Sequence, residues 1–279
     1  MSIAYLNEGA TSFAAANWSD ASGVINAAEL VIDKRFGRIA TDLNFSAIDV
    51  LSFVISQNAV GVIGGDSVGP LLMGADNVAN TALLRNYGFV ELYYSGDTDR
   101  LDLGGGSRNY IQGGTHGTVT ISGGYTEIGA SAIATTVFIF GGSGTIAYNA
   151  TDITNLHIFG GNWVIQRPAT NMFIGANATV RLDYADNAVT TGHSATVYGG
   201  NVSFIFAAIP TITAYGGMLD FSVARRAFDA GATLFDVGAA RIKESPIVDL
   251  TNVTYIAGFL RTLSGGAGSY DGGSSPTFR

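Results

Sequence analysis

No cysteine occurs in the 279-residue chain, so disulfide cross-links and thiolate metal sites are excluded. Charge is scarce as well, at 13% of residues against 47% hydrophobic, a balance too apolar for a disordered chain. Lys and Arg total 14 against 22 Asp and Glu, a net charge of −8, and no basic stripe is present to displace counterions from phosphates. A nucleic-acid partner is therefore not expected. Long hydrophobic runs are missing too: the longest, such as 202–210, reach about nine residues where a spanning helix needs about 20, so no membrane partner is expected either. The opening MSIAYLNEGATSF has neither a positive n-region nor an apolar h-region, and the expectation is a chain made and folded in a cytoplasm.

What is abundant is glycine, 38 residues without the strict triplet period of collagen. Much of it falls in one phrase that returns between Val119 and Val223: apolar, any, apolar, any, Gly, Gly. The best copies are VTISGG from Val119, VFIFGG from Val137, LHIFGG from Leu156, ATVYGG from Ala195 and ITAYGG from Ile212, with a weaker MFIGAN from Met172 inside the longest gap. Each pass takes about 15 to 24 residues, the length of one coil of a β-solenoid.

Aligning the copies gives columns. Val119, Val137, Leu156, Ala195 and Ile212 share one, and Ile121, Ile139, Ile158, Val197 and Ala214 share another two positions on. These are the inward ladders of strands with one buried face, because side chains alternate faces with period two. After the Gly pair, Ile128, Ile146, Ile165, Phe204 and Phe221 align in a third ladder. The Gly pair is then the corner between two strands. The predicted fold class is all-β, a single-stranded parallel β-helix (β-solenoid), right-handed, with an N-terminal cap.

The column just before the corner reads Ser122, Phe140, Phe159, Tyr198 and Tyr215, and alternation points it outward. Coils stack at about 4.8 Å, so these residues are expected to form an aromatic strip along one outer edge, widened by Phe138. Such a strip is too large an apolar patch to leave in water on a monomer. Phe138, Phe140, Phe159, Tyr198 and Tyr215 are the candidate interface residues.

Three segments follow from this pattern. Residues 1–45 lack the Gly-pair phrase and are expected to form a cap over the open end, with a short helix around 21–30, a strand and turn over 30–39, and Trp18 plugging the core mouth. Residues 46–263 carry the solenoid, with irregular early coils before the clear repeat. Residues 264–279, SGGAGSYDGGSSPTFR, read as a flexible Gly/Ser tail.

Chemistry is thin. No P-loop lysine follows the Gly104–Gly106 run, no GxSxG elbow occurs, and His116, His157 and His193 are not in a metal spacing. Glycosidases need two carboxyl groups about 5 to 10 Å apart. Asp183 and Asp186, flanking Tyr184 in the insert 183–194, are the one pair placed to line a groove, and a solvated loop is the favoured reading of them. Glu127 and Asp220 share an outward column but lie several coils apart. No catalytic residue, cofactor or metal site is assigned.

The repeated apolar-x-apolar-x-Gly-Gly phrase over residues 46–263, without cysteine and with low charge, resembles the Gly-rich right-handed β-helices of bacteriophage structural proteins: tailspikes, fibre modules and auxiliary capsid proteins. The resemblance implies a non-enzymatic virion protein assembled in a bacterial cytoplasm. Tailspikes are longer, with head-binding and trimerisation domains, so the chain looks more like a capsid decoration or cement protein. It would form a homotrimer and bind the major capsid protein. The alternative is a tail fibre or tailspike module that binds or cleaves cell-surface polysaccharide.

Overall fold

Alternating burial is the direct consequence of the apolar-x-apolar pattern. In Glu29–Ile32 and Ser52–Ile55 every second side chain is buried, and the same alternation runs through Ser143–Ile146 and Ser194–Val197. The computed structural model describes residues 3–14, 17–19, 29–45, 50–73, 81–148, 151, 153–184, 193–205 and 211–222, and the backbone of 228–229, 234–237, 241–243 and 248–249. They belong to two compact units, Met1–Thr151 and Asp152–Arg279. Each unit is a parallel β-helix, and no α-helix occurs among the described residues.

In the first unit each coil contributes strands to three parallel ladders. One ladder contains Glu29–Ile32, Ser52–Ile55, Thr81–Asn86 and Thr98–Leu103, then the later parts of Arg108–Ile121 and Tyr125–Ile139. The second contains Arg35–Ile39, Val60–Ile63, the start of Phe89–Gly96, and the starts of the two long strands, ending on Ser143–Ile146. The third begins with Asn44–Phe45 and Leu71–Met73 and continues into Phe89–Gly96. Thr98 and His116, neighbours in register, are 18 residues apart in the chain, within the spacing that the repeats predict.

The core is a set of vertical stacks. Leu30, Phe53, Leu84, Leu101, Val119 and Val137 sit one above another, all without solvent exposure. Each such side chain contributes about 1.5 to 3 kcal/mol on burial. In the second unit Leu156, Met172, Ala195 and Ile212 form the equivalent stack, with Trp163, Val180, Val202 and Leu219 after the corner. Within each unit the predicted columns are therefore real stacks, with one addition: the weak MFIGAN copy is a full coil, placing Met172 between Leu156 and Ala195.

The corner needs glycine for a specific reason. The second residue of each Gly pair has positive φ: 71° at Gly124, 81° at Gly142, 90° at Gly161, 78° at Gly200 and 87° at Gly217. At Gly142 a Cβ would also lie 2.6 Å from the Gly124 carbonyl oxygen of the coil below.

Ile3–Tyr5 pairs in parallel with Glu29–Val31, and its outer edge is covered where Ser19 N donates to Tyr5 O at 2.8 Å and Leu6 bridges Trp18 in antiparallel sense. Trp18 is buried, donates Nε1–H to Phe13 O at 3.1 Å, and packs on the Phe13 ring. The expected boundary at residue 46 is too late, because residues 29–45 already form a coil of the solenoid. That coil escapes the repeat because its first corner is Asp33–Lys34 rather than a Gly pair. Of the helix expected over 21–30, Glu29 and Leu30 are strand, and 21–28 lie outside the described residues, as do 264–279.

Candidate functional site

The outward column before the corner is where the sequence places its contact surface, and each unit presents part of it. In the first unit Phe140 is exposed, and its ring stacks on Phe138 at a centroid distance of 6.5 Å and an interplanar angle of 17°. Below them Ser122 and Gly104 hold the column.

The second unit carries the longer run. Tyr198 and Tyr215, exposed by 57% and 55%, stack at 5.4 Å and 15°. Phe159 is exposed as well, but it is not their neighbour. The Met172 coil intervenes with Gly175 at this position, and a Cβ there would be 3.1 Å from Phe159 Cα, so glycine keeps the coils closely stacked. The expected continuous strip is thus broken by one coil. Phe173, two residues earlier on the same outward face, widens the surface instead by stacking on His157 at 4.5 Å and 9°, while His157 also lies 6.1 Å from Phe159. Burial lowers the His157 pKa, which favours a neutral imidazole in this aromatic setting.

Tyr198 and Tyr215 turn one face each toward the other, while on its opposite side Tyr198 is beside Gly175, which carries no side chain. Their exposed phenols combine apolar area with a hydrogen-bonding tip.

Asp183 and Asp220 each make a local contact. Asp183 accepts a hydrogen bond from Arg181 Nη2 at 2.6 Å, and Asp186 lies outside the described residues. Asp220 Oδ1 accepts from Ser222 N at 2.9 Å and Ser222 Oγ at 2.6 Å, a turn contact. Among the described residues no group of three His, Cys, Asp or Glu could hold a metal ion.

Two outward features of the first unit escape the repeat pattern. Tyr93 and Tyr110 stack at 4.5 Å, with Tyr125 6.1 Å further on, and Tyr93 Oη donates to Glu91 Oε1 at 2.9 Å. Desolvation, then the Glu91 hydrogen bond, pushes the Tyr93 phenol up to about 12, and desolvation raises Tyr125 as well. The second feature is Asp102, whose carboxylate is 2% exposed and takes Arg100 Nε at 2.8 Å on Oδ1 and Arg85 Nε at 3.4 Å on Oδ2. Tyr87 beside it has a raised pKa, through desolvation first and the Asp102 charge second. Both features depend on which residues of different coils come into register, which no single pass of the chain reveals. No protein family, curated protein or solved structure matches the chain.

Proposed function

We propose that the chain is a non-enzymatic structural protein of a bacteriophage virion, a β-solenoid of the capsid decoration or cement type that self-associates, as a trimer, and binds the shell of the head. The resemblance of its Gly-pair repeat to phage β-helices supplies the virion setting. The observation that carries the binding role is the stacked, exposed Tyr198–Tyr215 pair on the outer edge of the second unit, with Phe159 and the His157–Phe173 stack on the same face. An apolar surface of this kind gains by removal from water, at about 25 cal/mol per Å² of apolar area.

The test is the solution mass of a Phe159→Ser/Tyr198→Ser double variant beside the parent. Both side chains are exposed, so the solenoid keeps its melting temperature. The expected result is an oligomeric parent and a variant of lower mass at the same concentration. An unchanged mass would remove the edge from the interface.

A further inference from the structure

A second surface, in the first unit, has the anatomy of a docking site. After the corner, Arg35, Val60 and Phe89 occupy successive coils of one outward column, and Gly106 follows. Phe89 is 64% exposed, the largest value among the exposed large hydrophobic side chains described, and Val60 beside it is exposed too. The Phe89 ring fills the space that a Cβ on Gly106 would need, so glycine in the next coil gives the ring its seat.

Arginines outnumber carboxylates around this apolar centre, four against Glu91 and Asp102. Arg35 is exposed at one end of the column, and Arg108, the cross-strand partner of Glu91, is the exposed diagonal neighbour of Phe89 at the other. Across the corner, Arg85 and Arg100 are held by Nε on the buried Asp102 carboxylate, with their side chains 39% and 54% exposed. The Asp102 carboxylate is enclosed between its two arginines, and Glu91, the acidic group of this face opposite Arg108, accepts the Tyr93 hydroxyl. Arg35 and Arg108 thus lie beside the aliphatic and aromatic centre in its own ladder, and Arg85 and Arg100 lie in the ladder across the corner, on a chain whose net charge is −8.

We propose that this face of the first unit docks an acidic segment of another protein, one that presents an apolar side chain to Val60 and Phe89 with carboxylates on either side. Exposed aromatic residues beside arginine are the usual anchors of protein interfaces. Guanidinium groups pair bidentately with carboxylates, and two of these four are already oriented by Asp102. The aliphatic Val60 surface favours a protein over a saccharide. The assignment rests on the reading of the chain as a binding protein of a larger assembly and names the chemistry of its partner. It uses residues separate from the Tyr198 edge, so the Phe159→Ser/Tyr198→Ser variant leaves it intact.

The experiment uses the full chain and three labelled peptides of alternating Leu with Glu, Gln or Lys, read by fluorescence anisotropy. The Glu peptide is expected to bind at least about tenfold more tightly than the Gln peptide, with affinity falling as salt is raised. Phe89→Ala and, separately, Arg108→Gln each weaken it by at least about fivefold, with the melting temperature unchanged. Arg35→Gln replaces Phe89→Ala if the latter lowers the melting temperature. Equal affinity for the Glu and Gln peptides, or full affinity in the variants, overturns the proposal. So does a solution mass that Phe89→Ala lowers, since the occupant is then a second copy of the chain.

Discussion

His116 is held neutral by its surroundings. It has no solvent exposure, its Nδ1 lies 2.8 Å from Thr98 Oγ1, and burial pushes its pKa down from 6.5 to about 4 against the opposing pull of Asp97 and the Gly113 backbone. The folded imidazole therefore takes a proton at lower pH than the unfolded one. Its contribution is complete above pH 6.5 and is lost as pH falls through about 4, a loss on the order of 3 kcal/mol. His116→Gln removes the titration, so the parent should lose that much more urea stability between pH 7 and pH 4 than the variant. Equal losses would show that His116 is not buried as described. Gly142 offers a second check at this scale. With φ at 81° and a Cβ position 2.6 Å from the Gly124 carbonyl oxygen, Gly142→Ala should cost about 2 kcal/mol or more in denaturant unfolding.

At the scale of elements, the solenoid is held by stacks, and one stack is polar. Asn86 Nδ2 donates to Asn109 Oδ1 at 2.8 Å and to Val90 O at 3.3 Å, and Asn109 Nδ2 reaches Ser107 Oγ at 2.8 Å and Thr126 Oγ1 at 3.4 Å. Ser107 Oγ in turn donates to Gly104 O at 2.6 Å, tying the ladder to the corner. All four side chains are buried, so a missing partner is costly. Asn109→Ala leaves the Asn86 amide with Val90 O alone and takes the donor away from Ser107 and Thr126, and it should destabilise the first unit by about 1 to 3 kcal/mol. Leu101→Ala in the apolar stack should cost about 2 to 5 kcal/mol. If thermal or urea unfolding registers Asn109→Ala as neutral, the ladder does not contribute to holding the coils together.

How much of this was legible follows from what a linear pattern can encode. The apolar columns from Val119 onward could be read because burial repeats with period two and the Gly pair fixes the phase. The coil of residues 29–45 could not, because Asp33–Lys34 makes its corner without glycine. The polar ladder joins Asn86 to Asn109 across 23 residues, and no local signal relates them. The outer aromatic column is legible in its members and not in its continuity: MFIGAN lacks the Gly pair that fixes the phase, so nothing in the linear pattern marks Gly175 as the residue between Phe159 and Tyr198. The Arg35–Val60–Phe89 column was hidden for the same reason, since its corners vary.

At the scale of the whole molecule, two observations set the behaviour in solution. The net charge of −8 keeps copies apart at low salt, while exposed aromatic residues on the outer edge of the second unit favour contact. On the proposed function contact prevails, and the chain acts as an assembled β-solenoid. Association driven by apolar burial should strengthen, not weaken, as salt screens the like charges. The most direct test is light scattering on the purified chain over a range of concentrations. The account predicts a species of three times the 28.9 kDa chain mass, persisting at high salt and lost in Tyr198→Ser/Tyr215→Ser. A parent of single-chain mass at every concentration and salt would contradict it.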